Sequence, residues 1–370
     1  MVTSIHPDFD ARIVKMAETM VRKGYQLDLI CPWSVNEKER NQVQYKTFTR
    51  TKGRLERYKN YYQIWKLLNN ADYDLYHFHD LDLLPFFALL KLVKRKPVIF
   101  DMHENYVQEM LQKAYLPTGI RPIAALAIYL ILKICLGIIK NLIVVENGQE
   151  KAYNRYNPVQ IRNYATIELT HQMMNNYQFR EPSVIFTGSQ YESNGTLLFL
   201  EIARLVHEKN KEVIFKSIDR FGGNDELRKK VKRRILEYNL QENVILLPNI
   251  MPQQIMQYLN ESTVGLSPNL DTPKQRSAIP TKLFEYMAAG IPIVASDLPY
   301  NRHFVTETGC GFVAEPSIPL QYAERILWLC ENQQLAENIG LKGLNAFREH
   351  YNWETESDKL VAFYQQLIVP

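Results

Sequence analysis

The residues best equipped for chemistry gather in PTKLFEYMAAGIPIVASD, Pro280 to Asp297. Pro280 suits the first turn of a helix and Gly290 its end, so TKLFEYMAA reads as a short helix leading into a buried strand. Leu283, Phe284 and Met287 fall on its apolar face. Glu285 lies near its N-terminus, where unpaired backbone N–H groups favour an anion such as a diphosphate. A carboxylate there also has the lone pairs to accept two hydrogen bonds from the vicinal hydroxyls of a ribose. The plainer reading makes Glu285 and Lys282 surface decoration, Glu285 gaining roughly a few tenths of a kcal/mol from the helix dipole. The helix alone leaves the two readings balanced.

A second group lies in the first half of the chain. His103 ends the apolar run PVIFDMH, and His77, His79 and Asp80 end DLYHFHD. A histidine at a strand end is either an acid–base or contact group, or a packed ring satisfied by backbone, and residue type alone favours the packed ring. His77 and His79 read as alternating on the strand, so that one of them faces a site and Asp80 stands next to His79 to orient it.

These residues need elements to position them. Short β-branched runs alternate with amphipathic stretches throughout. VTSI at the start, LDLIC (27–31), DLYHFH (74–79), PVIFDMH (97–103) and NLIVVE (141–146) read as strands. So do SVIFTG (183–188), EVIFKSI (212–218), NVILLP (243–248), TVGLSP (263–268) and PIVASD (292–297). In RIVKMAETMVRKG (12–24), Ile13, Met16, Ala17 and Met20 recur at helical spacing and Gly24 suits a C-terminal cap. Sustained strand–helix alternation predicts an α/β protein with parallel sheets. Two doubly wound domains facing across a cleft are expected: residues 1–165, a linker at 166–182, residues 183–350, and a closing helix at 351–370. In such sheets ligands sit beyond the carboxyl ends of the strands.

Composition narrows the classes. The 370-residue, 43.4 kDa chain is 46% hydrophobic and 23% charged, which excludes collagen-like, coiled-coil and largely disordered chains. No G-x-G-x-x-G, G-x-x-x-x-G-K-[ST] or G-x-S-x-G occurs, which removes dinucleotide oxidoreductases, P-loop ATPases and serine hydrolases of the elbow type. No metal-ligand spacing stands out. Cys31, Cys135, Cys310 and Cys330 are scattered, as in a reduced cytosolic protein. MVTSIHPDFDAR carries acids where a signal peptide needs an apolar run. IAALAIYLILKICLGII (123–139), interrupted by Lys133, falls short of the roughly 20 apolar residues of a spanning helix and is expected to be buried or interfacial. The net charge of +4 is uneven: residues 1–165 hold 24 Lys/Arg against 16 Asp/Glu, and the remainder 20 against 24.

The Pro280–Asp297 block resembles the nucleotide-binding signature of glycosyltransferase family 4, retaining enzymes of the GT-B fold with two Rossmann-like domains, among them bacterial surface-polysaccharide glycosyltransferases. TGCGFVAEP (308–316) and EHYNWETESDKLVAFYQQL (349–367) resemble the strand–loop and closing helix that follow it. DFDARIVKMAETMVRKGYQLDLI (8–30), DLYHFHDLDLLP (74–85), VIFDMHENY (98–106) and the stretch from VVENGQEKAYNRY to IRNY (144–164) occupy the matching places in the first half. The resemblance implies that Glu285 holds the donor ribose and that His103 lies against the donor sugar at the reacting centre. It implies a donor site completed by Gly188, Ser277, Pro280, Thr281, Lys282 and Lys216, with Asp10, His79 and Asp80 as walls on the acceptor side. No metal and no cofactor are implied.

Two departures stand out. The family's first glutamate would fall at Ser277, and the Arg and Lys of its Gly-rich turn fall at about Ser189 and Asn194 in FTGSQYESNGTLLFL (186–200). Those cations normally stabilise the departing diphosphate. Lys282 is the preferred substitute, ahead of Lys274, Arg276, Lys216 and Arg302.

Between Gln44 and Lys66, Lys46, Arg50, Lys52, Arg54, Arg57, Lys59 and Lys66 interleave with Tyr45, Phe48, Tyr58, Tyr61, Tyr62 and Trp65. Such a stretch fits single-stranded nucleic acid, an anionic membrane surface or an ordinary solvated helix. The acidic second half disfavours nucleic acid. The expected activity is transfer of a sugar from a nucleoside diphosphate sugar to a glycan or lipid-linked acceptor. It is expected in the cytoplasm, peripherally on the inner face of the membrane. The alternative is a GT-B-like binding or scaffold subunit of a glycan-assembly complex with impaired turnover.

Overall fold

The computed structural model describes residues 1–6, 10–32, 39–49, 57–112, 116–172, 177–248 and 254–368. It contains two units: Met1–Asn163 with Glu356–Pro370, and Tyr164–Thr355.

In the first unit the strands are β1 (Asp28–Cys31), β2 (Glu39–Arg40), β3 (Val43–Thr47), β4 (Tyr76–Phe78), β5 (Val98–Met102), β6 (Leu142–Val144) and β7 (Pro158–Gln160). They pair as β1-β3-β2 and β4-β5-β6-β7, parallel except for the β2–β3 pair. Val2 bridges both Ile30 and Phe78 in parallel, so the first residues run between β1 and β4. The helices are α1 (Ala11–Arg22), α2 (Arg57–Leu68), α3 (Leu84–Lys94), α4 (Tyr106–Gln112), α5 (Arg121–Ile139) and α6 (Gln149–Ala152). α1 starts where Asp10 accepts from the backbone N–H of Arg12 and Ile13, and it buries Ile13, Met16, Ala17 and Met20. Phe78, Phe87 and Phe100 stack at the centre of the core, with ring centroids 4.5 and 4.8 Å apart. β2, β3 and β7 fell outside the expected strands, being short and partly exposed.

The second unit holds β8 (Ser183–Phe186), β9 (Ile214–Ile218), β10 (Val244–Leu247), β11 (Val264–Ser267), β12 (Ile293–Ser296) and β13 (Gly311–Ala314). All are parallel, in the order β10-β9-β8-β11-β12-β13. This is the doubly wound order, and its switch point, where ligands bind in such sheets, lies between β8 and β11. The helices are α7 (Thr196–His207), α8 (Asp225–Glu237), α9 (Ile255–Asn260), α10 (Pro273–Ser277), α11 (Lys282–Ala288), α12 (Pro299–Thr308), α13 (Pro319–Glu331), α14 (Gln333–Glu349) and α15 (Trp353–Ile368). α15 begins in this unit and from Glu356 onward belongs to the first. Residues 166–182, read from sequence as a linker, group with the second unit and carry 3-10 turns at Ile167–Gln172 and Tyr177–Phe179. Tyr177 Oη donates to Thr263 O at 2.7 Å, which ties the segment to the sheet.

All four cysteines are free thiols.

Candidate functional site

In the second unit, Thr187 and Gly188 follow β8 directly at the switch point. Gly188 has φ +96°, and a Cβ there would stand 3.7 Å from Lys282 Cε. Glu285 sits in the first turn of α11, half-buried, and Thr187 Oγ1 donates to its Oε2 at 3.0 Å. Tyr286, one residue on, donates from Oη to Leu266 O at 3.0 Å and accepts from Thr187 N at 3.0 Å. It therefore ties the ends of β8 and β11 together. Gly265 makes this possible, because a Cβ there would lie 2.4 Å from the Tyr286 ring. Lys282 is buried, its Nζ 4.2 Å from the centroid of Phe186 and without a hydrogen-bond partner among the described residues. Burial lowers its pKa to about 7, Glu285 offsetting only part of the effect.

Gly188, Lys282 and Glu285 are thus brought together, with Pro280 and Thr281 entering α11 just before them; Pro280 O accepts from Leu283 N. Lys216 lies in the middle of β9, its Nζ 3.4 Å from Glu261 at the end of α9. Arg276 and Arg302 are exposed and paired with Asp271 and Asp297. Ser277 ends α10, where its hydroxyl donates to Lys274 O. The expected cation positions hold neutral groups wired to each other. Asn194 donates to Ser189 O at 2.9 Å and accepts from Gln275 Nε2 at 2.9 Å, and Gln275 accepts from Asn269 Nδ2 at 2.7 Å. α11 has only seven residues, and Thr281 makes no side-chain cap bond.

The first unit holds a denser polar cluster, where the loop after Val2 meets the ends of β4 and β5. Asp101 is fully buried and paired with Arg12 through two 2.9 Å bonds, Nε to Oδ2 and Nη2 to Oδ1. Burial opposes its charge, but Arg12 and the adjacent histidines hold its pKa well below the usual carboxylate range. His79 Nδ1 and His103 Nε2 each lie 3.2 Å from Asp101 Oδ2. The two nitrogens also lie 3.2 Å from each other; an ionised carboxylate only accepts, so at least one of them carries a proton towards it. Burial lowers the His79 pKa to about 4, which keeps that ring neutral. Asp101 thus holds the His103 ring by its Nε2 edge and leaves Nδ1 outside this pair of contacts.

Asp80 does not orient His79. It accepts from Thr3 Oγ1 and Ser4 N, both at 2.6 Å, and faces His6 Nε2 at 3.2 Å. Asp101 takes the orienting role instead. The reading that only one of His77 and His79 faces the site is also corrected, because residues two apart on a strand share a face. Their rings lie 4.5 Å apart, both buried, and His77 Nδ1 is 2.7 Å from Tyr364 Oη on α15. His6, missed in the sequence, sits between Asp10 and Asp80 at 3.0 and 3.2 Å and 5.3 Å from the His103 ring. Burial works against its charge, but hydrogen bonds to the two carboxylates outweigh it and raise its pKa to about 10. His77, His79 and Asp101 place ligand atoms within 4.8 Å of one another. Arg12 occupies both oxygens of Asp101, and its fixed positive charge opposes a cation there.

Comparison with known proteins follows the same division. A family model described as Glycosyltransferase Family 4 matches residues 11–162, and one described as Glycosyl transferases group 1 matches residues 180–345. The chain is similar to Spore coat protein SA of Bacillus subtilis, 23% identical over 186 residues, or 50% of this chain and 48% of that protein. The match therefore spans about half the length of that curated relative. Among solved structures, sucrose-phosphate synthase from Thermosynechococcus elongatus superposes with a TM-score of 0.78 at 16% identity, covering 99% of this chain and 98% of that one. Anabaena HepE in complex with UDP and glucose gives a TM-score of 0.77 at 13% identity over 99% of both chains. With its two halves matched in turn and its whole length following such structures, the chain belongs to glycosyltransferase family 4 and has the GT-B fold.

Proposed function

We propose that this protein is a retaining, metal-independent glycosyltransferase. It moves a sugar from a nucleoside diphosphate sugar to a glycan or lipid-linked acceptor in cell-surface polysaccharide synthesis, in the cytoplasm at the inner face of the membrane. The observation that carries this is the trio at the switch point of the second sheet: Gly188, the Glu285 carboxylate held by Thr187, and Lys282, whose Nζ has no hydrogen-bond partner among the described residues. In this reading Glu285 takes the two ribose hydroxyls and Lys282 faces the diphosphate as it leaves, with charge stabilisation that no metal need supply. His103, fixed through Asp101, contacts a hydroxyl of the donor sugar. Retention then proceeds by front-face attack, the leaving phosphate taking the acceptor proton. HepE was solved with UDP and glucose, which supports a nucleotide-sugar donor for this chain as well. The surface-glycan setting draws support from the sequence resemblance and from the coat-protein relative.

The neutral Ser189–Asn194–Gln275 network favours one rival, a nucleotide-sugar-binding subunit without turnover. Calorimetry with UDP, GDP and their sugars, followed by donor-hydrolysis assays, separates the two. Binding with hydrolysis supports the enzyme, and binding with neither hydrolysis nor transfer to supplied glycans supports the subunit. No binding to any nucleotide overturns both.

A further inference from the structure

The outer faces of α3 and α5 present a surface that the folding of the first unit does not use. α5 buries one stripe, Ala125, Leu132, Cys135, Leu136 and Ile139, and most of that stripe joins the core that contains Phe78 and Phe100. A surface helix ordinarily turns polar residues to the opposite side. Here Ile123, Leu126, Leu130 and Ile134, spaced by three and four residues, stay 47–69% exposed. α3 packs alongside, the two helix ends tied by Lys91 Nζ donating to Ile139 O at 2.6 Å. Its Leu89, Leu92 and Val93 are 59–62% exposed. Scattered apolar residues on a surface are ordinary, but seven large ones on two adjacent helices mark a docking face.

Charge indicates what docks there. Neither helix carries an Asp or Glu, whereas Lys91, Lys94 and Arg95 end α3, and Arg121, Lys133 and Lys140 lie along or beside α5. Lys133 stands 6.0 Å from the Tyr129 ring centroid, and Lys94 5.8 Å from that of Trp65 on α2. Aromatic rings beside lysines at the border of an apolar slab suit the boundary of a bilayer. The rings lie at headgroup depth there, and the ammonium groups reach the phosphates.

We propose that the outer face of α3 and α5 docks on an anionic lipid bilayer, with α5 lying in the plane of the interface. By length and composition α5 is also able to cross a membrane. Its buried stripe decides against that, since Leu132, Leu136 and Ile139 cannot stay packed in the core of the first unit while the helix spans. The proposal rests on this surface alone and needs neither donor binding nor turnover. It deepens the reading above by bringing a lipid-linked acceptor and the protein to the same plane. The basic stretch expected at 44–66 adds little here: Arg50, Lys52 and Arg54 lie outside the described residues, and Lys46 is paired with Asp28.

The test is flotation of the full chain with vesicles of phosphatidylcholine alone and of phosphatidylcholine mixed with phosphatidylglycerol. Wild type should float with the mixed vesicles and far less with the neutral ones. The L126S/L130S/I134S variant changes only exposed positions and should keep its circular dichroism and its nucleotide binding while losing flotation at least about tenfold. The K133E/K140E variant should lose the anionic preference, by about fivefold for each lysine. Wild type that fails to float with either vesicle, or a triple variant that floats unchanged, overturns the proposal. So does a wild-type dimer in sedimentation that the triple variant converts to monomer, because the face then belongs to a second copy of this chain. Since nucleotide binding is read separately, failure here stays distinct from failure of the donor-site assignment.

Discussion

Lys282 Nζ stands 4.2 Å from the centroid of the Phe186 ring, buried at the switch point of the second sheet and without a hydrogen-bond partner among the described residues. A charge kept in that setting waits for a partner, and its pKa of about 7 means that a partner also changes its protonation. Below about pH 7 the ammonium is already present, and above it donor binding must take up a proton. Affinity for a nucleoside diphosphate should therefore fall by up to about tenfold per pH unit above 7. Calorimetry in buffers of different ionisation heat should register proton uptake at pH 8, and K282M should abolish both that uptake and the slope.

Stability should run the other way. The unfolded lysine keeps its ordinary pKa of 10.5, so the unfolded chain binds the extra proton between about pH 7 and 10.5. The destabilisation from burying the charge is fully present below 7 and is relieved as pH rises through that window. Urea titrations of wild type and K282M across pH 6–10 should converge towards the alkaline end, with the variant the more stable of the two at pH 6. Parallel curves would sink this assignment.

Glu285 should act through binding. Losing two hydrogen bonds to a charged acceptor costs about 1.5–3 kcal/mol each where the site is dry. E285A should raise donor KM by at least about tenfold, and T187V, which frees the carboxylate from its 3.0 Å donor, should raise it less. Steady-state kinetics with the donor varied measure both. Equal effects of the two variants would show that Thr187, not the ribose contact, dominates.

His103 should act through turnover, and Asp101 through His103. H103A should lower kcat by a factor on the order of 10² or more. D101N replaces an obligate acceptor by an amide that can donate, so the His103 ring is no longer held at Nε2 by a carboxylate. Its kcat should fall with donor KM little changed, and the fold should weaken by about 3–5 kcal/mol because Arg12 is left buried without its partner. R12M/D101N removes both charges; if it regains stability and not kcat, the positioning role stands.

His6 should make the first unit sensitive to alkali. Its folded pKa of about 10 exceeds the ordinary 6.5, so its contribution is complete below 6.5 and is lost as pH rises towards 10. H6Q should destabilise clearly at pH 6 and progressively less from about pH 6.5 up to about 10, as followed by thermal unfolding at fixed ionic strength.

Legibility in the sequence followed separation along the chain. Lys282 and Glu285 share one short helix, so local sequence places them together, and the family resemblance tipped a balanced reading towards the donor site. The strand–helix rhythm likewise disclosed most of the strands, missing the short β2, β3 and β7 and the edge strand β13, which only the family resemblance pointed to. The pairs that build the first unit's cluster join residues far apart: His6 with Asp80, Arg12 with Asp101, His77 with Tyr364. No local pattern announces them, because it is the parallel register, with His77 opposite Ile99 and Phe78 opposite Phe100, that carries Asp101 beside His79. Asp80 was read as the orienting group because it adjoins His79 in sequence; the extended backbone turned it to the other face. The neutral network at Asn194 also needed the structure, since Gln275 lies on a different element altogether.

One further consequence concerns synthesis on the ribosome. The first unit includes Glu356–Pro370, which supplies Tyr364 to His77 and the Glu356 carboxylate to the Arg162 backbone at 2.8 Å. When Asn163 has been made, the last piece of that unit is still about 190 residues away, roughly 10–40 s at ordinary translation rates. During that interval the nascent first unit holds His77 beneath an uncovered end, and a chaperone that shields it should crosslink there until the closing helix has been released.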